Sequence, residues 1–388
     1  MQDSAVGKQS KDILLEVNNL SVDYFASNGA VHAVRDVSFV LRRGEILGLA
    51  GESGCGKSTL AYAVSRLLRP PAYVTGGEVL YYPRGREEGA SPLVQSKLPK
   101  SGRANKNNGS EAIDVLQLSP SELRAFRWSE ISIVFQSAMN ALNPVMTVGD
   151  QITDVLKAHR PDMGPSQRKK RASELLNLVG IAADRLNSYP HELSGGMRQR
   201  AVIAIALALN PELIIMDEPT TALDVVVQRE ILQLISDLCR EFSTALIFIT
   251  HDLSLLLELS DQIAIMYAGK MIEKASSQDI YEHPRHPYSY GLLNAFPSLH
   301  GPIRKMVGIP GSPPDLRAIP SGCPFRERCP LAFEPCTTVV PSLQSATAEK
   351  PQQLVSCHLY DSRLSSRGIP STTDLARSYE SLAEGSRA

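Results

Sequence analysis

Apolar and polar positions change rhythm several times along the chain, and each change marks an element. Ile13-Leu-Leu-Glu-Val17 and Ala33-Val-Arg-Asp-Val-Ser-Phe-Val40 read as strands, and Glu45-Ile-Leu-Gly-Leu-Ala50 is a short apolar run suited to a buried strand. That run enters a glycine-rich turn and then helical spacing from Ser58 to Leu68, a strand–loop–helix unit. Helical periodicity returns from Ser119 to about Phe126 and from Pro165 to Val179. A second unit starts at Leu213-Ile-Ile-Met-Asp-Glu-Pro and continues as a helix from about Val227 to Phe242, and Ala245-Leu-Ile-Phe-Ile-Thr250 is a third buried strand. Short apolar strands alternating with helices predict an α/β core with a largely parallel sheet. After about Pro284 the chain turns proline-rich and irregular, and from Asp361 a polar tail is expected. No internal repeat and no sustained heptads are present.

Residues 83–112 break this rhythm, with six Lys/Arg against three Glu and no aromatic residue. So few apolar side chains cannot offset the entropy of ordering, which predicts a flexible surface insertion: a solvated loop first, a docking loop for anionic lipid or a partner second.

Length and charge narrow the class. At about 150 residues per domain, 388 residues suggest two or three domains. Lys+Arg is 40 and Asp+Glu 41, so the clear positive excess of a phosphate-backbone binder is missing and nucleic-acid binding is disfavoured. The longest apolar run, Ala201 to Leu209, is far shorter than the roughly 18 residues of a spanning helix, and the polar start from Met1 to Asp12 carries no apolar signal region. A cytosolic chain is expected.

The chemistry concentrates in a few motifs. Gly51-Glu-Ser-Gly-Cys-Gly-Lys-Ser58 fits G-x-x-x-x-G-K-[ST] directly after a strand. In such a loop glycines let backbone N–H groups turn inward on phosphates, Lys57 supplies a point charge to the β- and γ-phosphates, and the Ser58 hydroxyl ligates Mg²⁺ at a helix N-terminus. Cys55 reads as a backbone donor here rather than a redox group. The apolar strand ending in Asp217-Glu218 delivers paired carboxylates, Asp217 for the metal and Glu218 to polarise an attacking water as general base. Leu193-Ser-Gly-Gly-Met-Arg-Gln-Arg200 opens a helical stretch, and its free N–H groups and hydroxyl form another anion site. One nucleotide does not need two such sites from one subunit, which hints at an ATP site shared between subunits.

Together the phosphate loop, Leu193-Ser194-Gly195-Gly196 and Met216-Asp217-Glu218-Pro219 resemble the ATP-binding cassette superfamily over about residues 12–270. The resemblance implies a phosphate-loop ATPase fold: a RecA-like core, an antiparallel β subdomain and a helical subdomain at about 119–205. It further implies that Gly51, Ser53, Gly54, Cys55, Gly56, Lys57, Ser58 and Thr59 bind nucleotide, and that Ser58, Asp217 and the Q-loop residue Gln136 serve Mg²⁺. Asp224 is then the D-loop acid, His251 the switch histidine on the γ-phosphate, and Tyr24 the aromatic stacked on adenine, with Phe25 adjacent. Ser194, Gly195 and Gly196 of one subunit would close over ATP held by the other, and closure would drive attached membrane subunits.

Several further stretches are similar to the D-type ATPase subunit of the dipeptide/oligopeptide permease family. They are Phe135-Gln-Ser-Ala-Met-Asn-Ala-Leu-Asn-Pro144, Met197 within the signature, His286-Pro-Tyr288 with Gly291-Leu-Leu293, Gly311-Ser-Pro-Pro314, and Gly322-Cys-Pro-Phe-Arg-Glu-Arg-Cys-Pro330. The insertion at 83–112 and the tail past 360 depart from that pattern. The implied layout is a polar N-terminal tail (1–11), the nucleotide-binding domain (12–270), an extension (271–360) and a polar tail (361–388).

Cys323, Cys329, Cys336 and Cys357 are spaced C-x5-C-x6-C-x20-C, which is not a zinc ribbon. Four such thiolates could hold a [4Fe–4S] cluster or zinc, or stay unligated. The resemblance implies the cluster with these four ligands; His358 is a rival to Cys357, and Arg326 and Arg328 would balance the thiolate charge.

The expected protein is thus an ATPase using ATP and Mg²⁺ to power peptide import from the cytoplasmic face of the plasma membrane, as a peripheral subunit. Implied partners are two transmembrane permease subunits, contacted near Met139 to Val148, a second, F-type ATPase, and an extracytoplasmic solute-binding protein. The alternatives are an importer of nickel, glutathione or oligosaccharides and, after that, a soluble cassette ATPase of translation, chromosome repair or iron–sulfur assembly.

Overall fold

The computed structural model describes residues 13–27, 29–84, 103–104, 111–136, 141–221, 223–295 and 308–385. The first half runs β1 (Ile13–Ala26), β2 (Gly29–Arg42), β3 (Ile46–Ala50), α1 (Lys57–Val64), β4 (Ala72–Tyr81), β5 (Arg103–Ala104), β6 (Glu111–Asp114), α2 (Pro120–Phe126), β7 (Ile131–Val134), α3 (Val148–His159) and α4 (Pro165–Leu178). It continues through α5 (Gly195–Ala206), β8 (Leu213–Asp217), α6 (Val225–Phe242), β9 (Ala245–Ile249), α7 (Leu253–Leu259), β10 (Gln262–Tyr267) and β11 (Lys270–Ser276). The extension adds α8 (Ser277–Glu282), α9 (Pro287–Asn294), α10 (Pro335–Thr338), β12 (Gln344–Ser345), β13 (Leu354–Val355) and α11 (Thr372–Gly385).

Two sheets organise these elements. The larger has the order β12-β13-β11-β10-β3-β9-β8-β7, parallel from β10 to β7. Every residue of β3, β8 and β9 is buried, as expected of parallel strands covered on both faces. Their alternate side chains divide between two cores. Ile214, Met216, Leu246 and Phe248 pack with the helices α3 to α7, while Leu213, Ile215, Ile247 and Ile249 pack with α1 and the antiparallel sheet β2-β1-β4-β6-β5. The α/β cassette expected from the chain is therefore present.

Local chemistry sets the element ends. Ser119 caps α2 in a reciprocal box with Glu122, and Pro120 occupies the first turn. Asp224 accepts from the N–H groups of Val226 and Val227, so α6 starts two residues before the position expected from periodicity. β1 runs nine residues past Val17, because register shifts let the ladder continue through Asn18 and Asn19. β4 carries Gly76-Gly77, which hides its alternation, and β7 joins the large sheet between α2 and α3.

The extension is sewn to the core. Position 270, the expected boundary, falls at the start of the second strand of the β10–β11 hairpin, and β11 pairs onward with β13. Fully buried Glu273 accepts the N–H groups of Arg285 and His286. His286 in turn caps α9 by accepting the Tyr288 N–H; burial pushes its imidazole down to about 3, so the ring stays a neutral acceptor.

The expected polar tail needs correction, because α11 docks. Leu375 and Tyr379, four residues apart on one helical face, are buried against Tyr290, and the Tyr379 hydroxyl donates to the Pro287 carbonyl at 3.0 Å. Of the expected insertion, residues 85–102 and 105–110 lie outside the described residues; β5 and β6 pair antiparallel at its edge. Among the described residues, no helix is long and apolar enough to cross a membrane.

Candidate active site

The loop between β3 and α1 is shaped by glycines that nothing else could replace. Gly51 has φ 141° and a Cβ there would meet the Met266 carbonyl oxygen; Gly56 has φ 105° and a Cβ would meet the Ala33 carbonyl oxygen. The crest at Ser53 and Gly54 is exposed, whereas Lys57 is buried. Lys57 Nζ donates to the carbonyls of Gly51 (2.7 Å) and Glu52 (3.0 Å), holding a cation inside the loop. Cys55 is buried beneath it; burial pushes its thiol up, and its N–H donates to the Glu52 carbonyl.

The carboxylates meet this loop across the sheet. Asp217, at the end of β8, is fully buried and accepts the Ser58 hydroxyl at 3.0 Å, while its Oδ2 is buried with no hydrogen-bond partner. Burial pushes the Asp217 pKa up, opposed by the Ser58 bond. A carboxylate with one spare buried oxygen beside a helix-start serine is a donor set suited to a hard, oxygen-seeking cation such as Mg²⁺. Burial, and then Asp217 beside it, pushes the Tyr62 phenol up to about 12.

Glu218 follows at φ 46°, a left-handed conformation costing a non-glycine residue about 1 kcal/mol. Its backbone N–H is held by the Ile249 carbonyl (2.9 Å), so the turn aims the carboxylate away from the strand. Three side chains converge on it: Gln136 Nε2 at 3.2 Å, Thr221 Oγ1 at 3.2 Å, and His251 Nδ1 at 3.3 Å. Gln136, Glu218 and His251, expected at Mg²⁺, the attacking water and the γ-phosphate respectively, form one hydrogen-bonded group; Thr221 is an addition that periodicity and motif spacing did not mark.

The other expected residues lie elsewhere. Tyr24 is half-buried, its hydroxyl 3.1 Å from Thr59 Oγ1, while the neighbouring Phe25 is exposed and tilted against Tyr73 at 6.0 Å. Ser194 caps α5 through Met197 N–H and is exposed, with Gly195 and Gly196 in the first turn of that helix, and Asp224 is exposed as the cap of α6. Val225 and Val226 beside Asp224 are exposed. Of the expected permease contact, residues 139–140 lie outside the described residues, and Val145 is well exposed.

Cys323, Cys329, Cys336 and Cys357 line one cavity together with His286, Phe325 and His358. Burial pushes the thiols of Cys323 and Cys357 up, to about 11 and about 12, and raises Cys329 further. Among the described residues, no group of three or more His, Cys, Asp or Glu is placed to hold a metal ion. His358 Nε2 is engaged with the Val339 carbonyl at 2.8 Å. Arg328 does not balance thiolates as expected: its guanidinium turns to Glu52 of the phosphate loop.

Residues 34–221 match the family described as ABC transporter, and residues 272–336 match the oligopeptide/dipeptide transporter C-terminal region. The chain is 43% identical over 335 residues to the oligopeptide transport ATP-binding protein OppD of Salmonella typhimurium, covering 86% of this chain and 91% of that one. The chain belongs to the ABC transporter ATP-binding family. The cassette is also 41% identical to the dipeptide transport ATP-binding protein DppD of Bacillus subtilis, over 90% of this chain and 96% of that one. Among solved structures it is similar to a dimeric ATP-binding cassette in a post-hydrolysis state bound to ADP and Pi, with TM-score 0.54 and 28% identity over 68% of this chain and 99% of that one. The cassette is therefore an ATP-hydrolysing subunit of the ABC type.

Proposed function

We propose that this cassette energises an importer for peptides, the solutes named for its OppD and DppD relatives. The observation that carries the ATPase part is the Glu218 carboxylate, held by Gln136, Thr221 and His251 one residue beyond the buried Asp217–Ser58 pair. Glu218 polarises the water that attacks the γ-phosphate, and His251 orients that carboxylate. Lys57 exchanges its two loop carbonyls for phosphate oxygens, while Gly51, Ser53, Gly54, Cys55, Gly56, Ser58 and Thr59 line the phosphates and Tyr24 sits under the adenine. Asp217, Ser58 and Gln136 would hold Mg²⁺, whose charge would offset that of the nucleotide phosphates.

Ser194, exposed at the α5 N-terminus, and the half-buried Gly195 and Gly196 serve a nucleotide on a second ATPase of the F type, with the exposed Asp224 as the D-loop acid. Two transmembrane permease subunits and an extracytoplasmic solute-binding protein complete the assembly, with this chain peripheral on the cytoplasmic membrane face. Cys323, Cys329, Cys336 and Cys357 would be the thiolate ligands of a [4Fe–4S] cluster; what supports this reading is that all four line one cavity.

Detergent-solubilised membranes provide the test. Recovery of the chain in a stable complex with two hydrophobic permeases is expected; recovery only with ribosomes or scaffold proteins would contradict the transport reading.

A further inference from the structure

Glu52, a position that the G-x-x-x-x-G-K-S pattern leaves unspecified, is gripped from two sides by the extension. Its backbone N–H donates to the Tyr288 hydroxyl at 2.9 Å. Its carboxylate receives both arms of the Arg328 guanidinium, Nη1 to Oε2 and Nη2 to Oε1, each at 2.8 Å. Arg328 is itself locked, with Nε on the Pro310 carbonyl at 2.7 Å, Nη1 3.3 Å from the Tyr267 hydroxyl, and its side chain only 6% exposed. Tyr288, Tyr267 and Phe325 pack their rings together behind this contact, at centroid distances of 4.7 to 5.4 Å. On the loop side, the Glu52 carbonyl accepts Lys57 Nζ and the Cys55 N–H, so one residue ties the extension to the lysine that meets phosphate.

We infer that Tyr288 and Arg328 are positioning residues of the ATPase: the extension clamps the phosphate loop at Glu52 in its ATP-receiving shape. Two effects combine. A loop whose N–H groups already point inward loses less entropy when phosphate arrives. A carboxylate inside a loop that must take a polyanion is repulsive unless neutralised, and the bidentate, nearly buried Arg328 neutralises it. The same contact makes the cysteine-bearing segment part of the ATP site, since Arg328 immediately precedes Cys329. This rests on the reading that the Gly51–Ser58 loop binds the phosphates of ATP.

The experiment measures ATP binding and steady-state hydrolysis by the full chain, as the single variants Tyr288→Phe, Arg328→Met and Lys57→Ala and the double variant Arg328→Met with Glu52→Gln. The clamp predicts a rise in Kd and KM for ATP of about threefold in Tyr288→Phe, which loses one hydrogen bond. It predicts about tenfold in Arg328→Met, which strands the Glu52 charge, with kcat at saturating ATP nearly unchanged. Adding Glu52→Gln to Arg328→Met removes the stranded charge and recovers most of the affinity, a rescue that general loss of packing does not give. If Arg328→Met does not fold, Tyr288→Phe decides. Wild-type KM in Tyr288→Phe and Arg328→Met, or a fall in kcat with KM unchanged, overturns the clamp. Lys57→Ala separates the two claims: lost binding there with both clamp variants normal refutes the clamp alone, whereas normal binding in Lys57→Ala refutes the loop assignment and the clamp with it.

Discussion

Glu218 is the residue on which the proposed chemistry turns, and its environment makes a sharp prediction. Replacing it with Gln keeps the size and the contacts to Gln136 and Thr221 but removes the basic oxygen. Glu218→Gln is expected to bind ATP as wild type and to hydrolyse it roughly 10²–10⁴ times more slowly, accumulating ATP-bound dimers, as read by single-turnover phosphate release and gel filtration. Turnover at the wild-type rate would refute the general-base assignment. At the cysteine site, Cys329→Ser is expected to lose the brown colour and iron of protein prepared without oxygen; a colourless, zinc-containing wild-type preparation would count against the cluster. The placement of Lys57, Ser58, Asp217 and Glu218 was legible in the sequence because each lies in a short motif whose spacing is set by one loop or one strand end, whereas His251 came from the family resemblance. Thr221 and the Glu52–Arg328 pair were not. The pair is 276 residues apart, and only the placement of β10 beside β3 brings the extension to the loop.

Among elements, α11 best separates what pattern can and cannot tell. Apart from Leu375 and Tyr379 its residues are mostly polar, so composition reads as tail, yet those two side chains are buried against Tyr290. Leu375→Ala is expected to lower the stability of the full chain by about 2–4 kcal/mol, seen as a lower denaturation midpoint, and to make the segment after residue 361 the first site of limited proteolysis. An unchanged midpoint with unchanged proteolysis would mean the helix does not contribute to the fold. The buried strands β3 and β9, and β8 up to its terminal Asp217, were readable because burial on both faces leaves an apolar run. β4, interrupted by Gly76-Gly77, and the long continuations of β1 and β2 were not, since pairing partners and bulges rather than side-chain alternation define them.

For the whole molecule, the chain is a subunit of the ABC transporter ATP-binding family. Such a subunit performs work only through partners, and its exposed surfaces around Ser194, Asp224 and Val145 are where we expect them to dock. The extension, shared with the oligopeptide/dipeptide transporter C-terminal region, is not an appendage: it adds β13 to the central sheet and reaches the phosphate loop. The most direct test of the account is peptide uptake into proteoliposomes carrying the complete complex, with ATP on the side of this chain and the solute-binding protein on the other. Uptake that requires ATP hydrolysis and is abolished by Glu218→Gln is predicted. Full hydrolysis without peptide movement, or uptake undiminished in that variant, would contradict it.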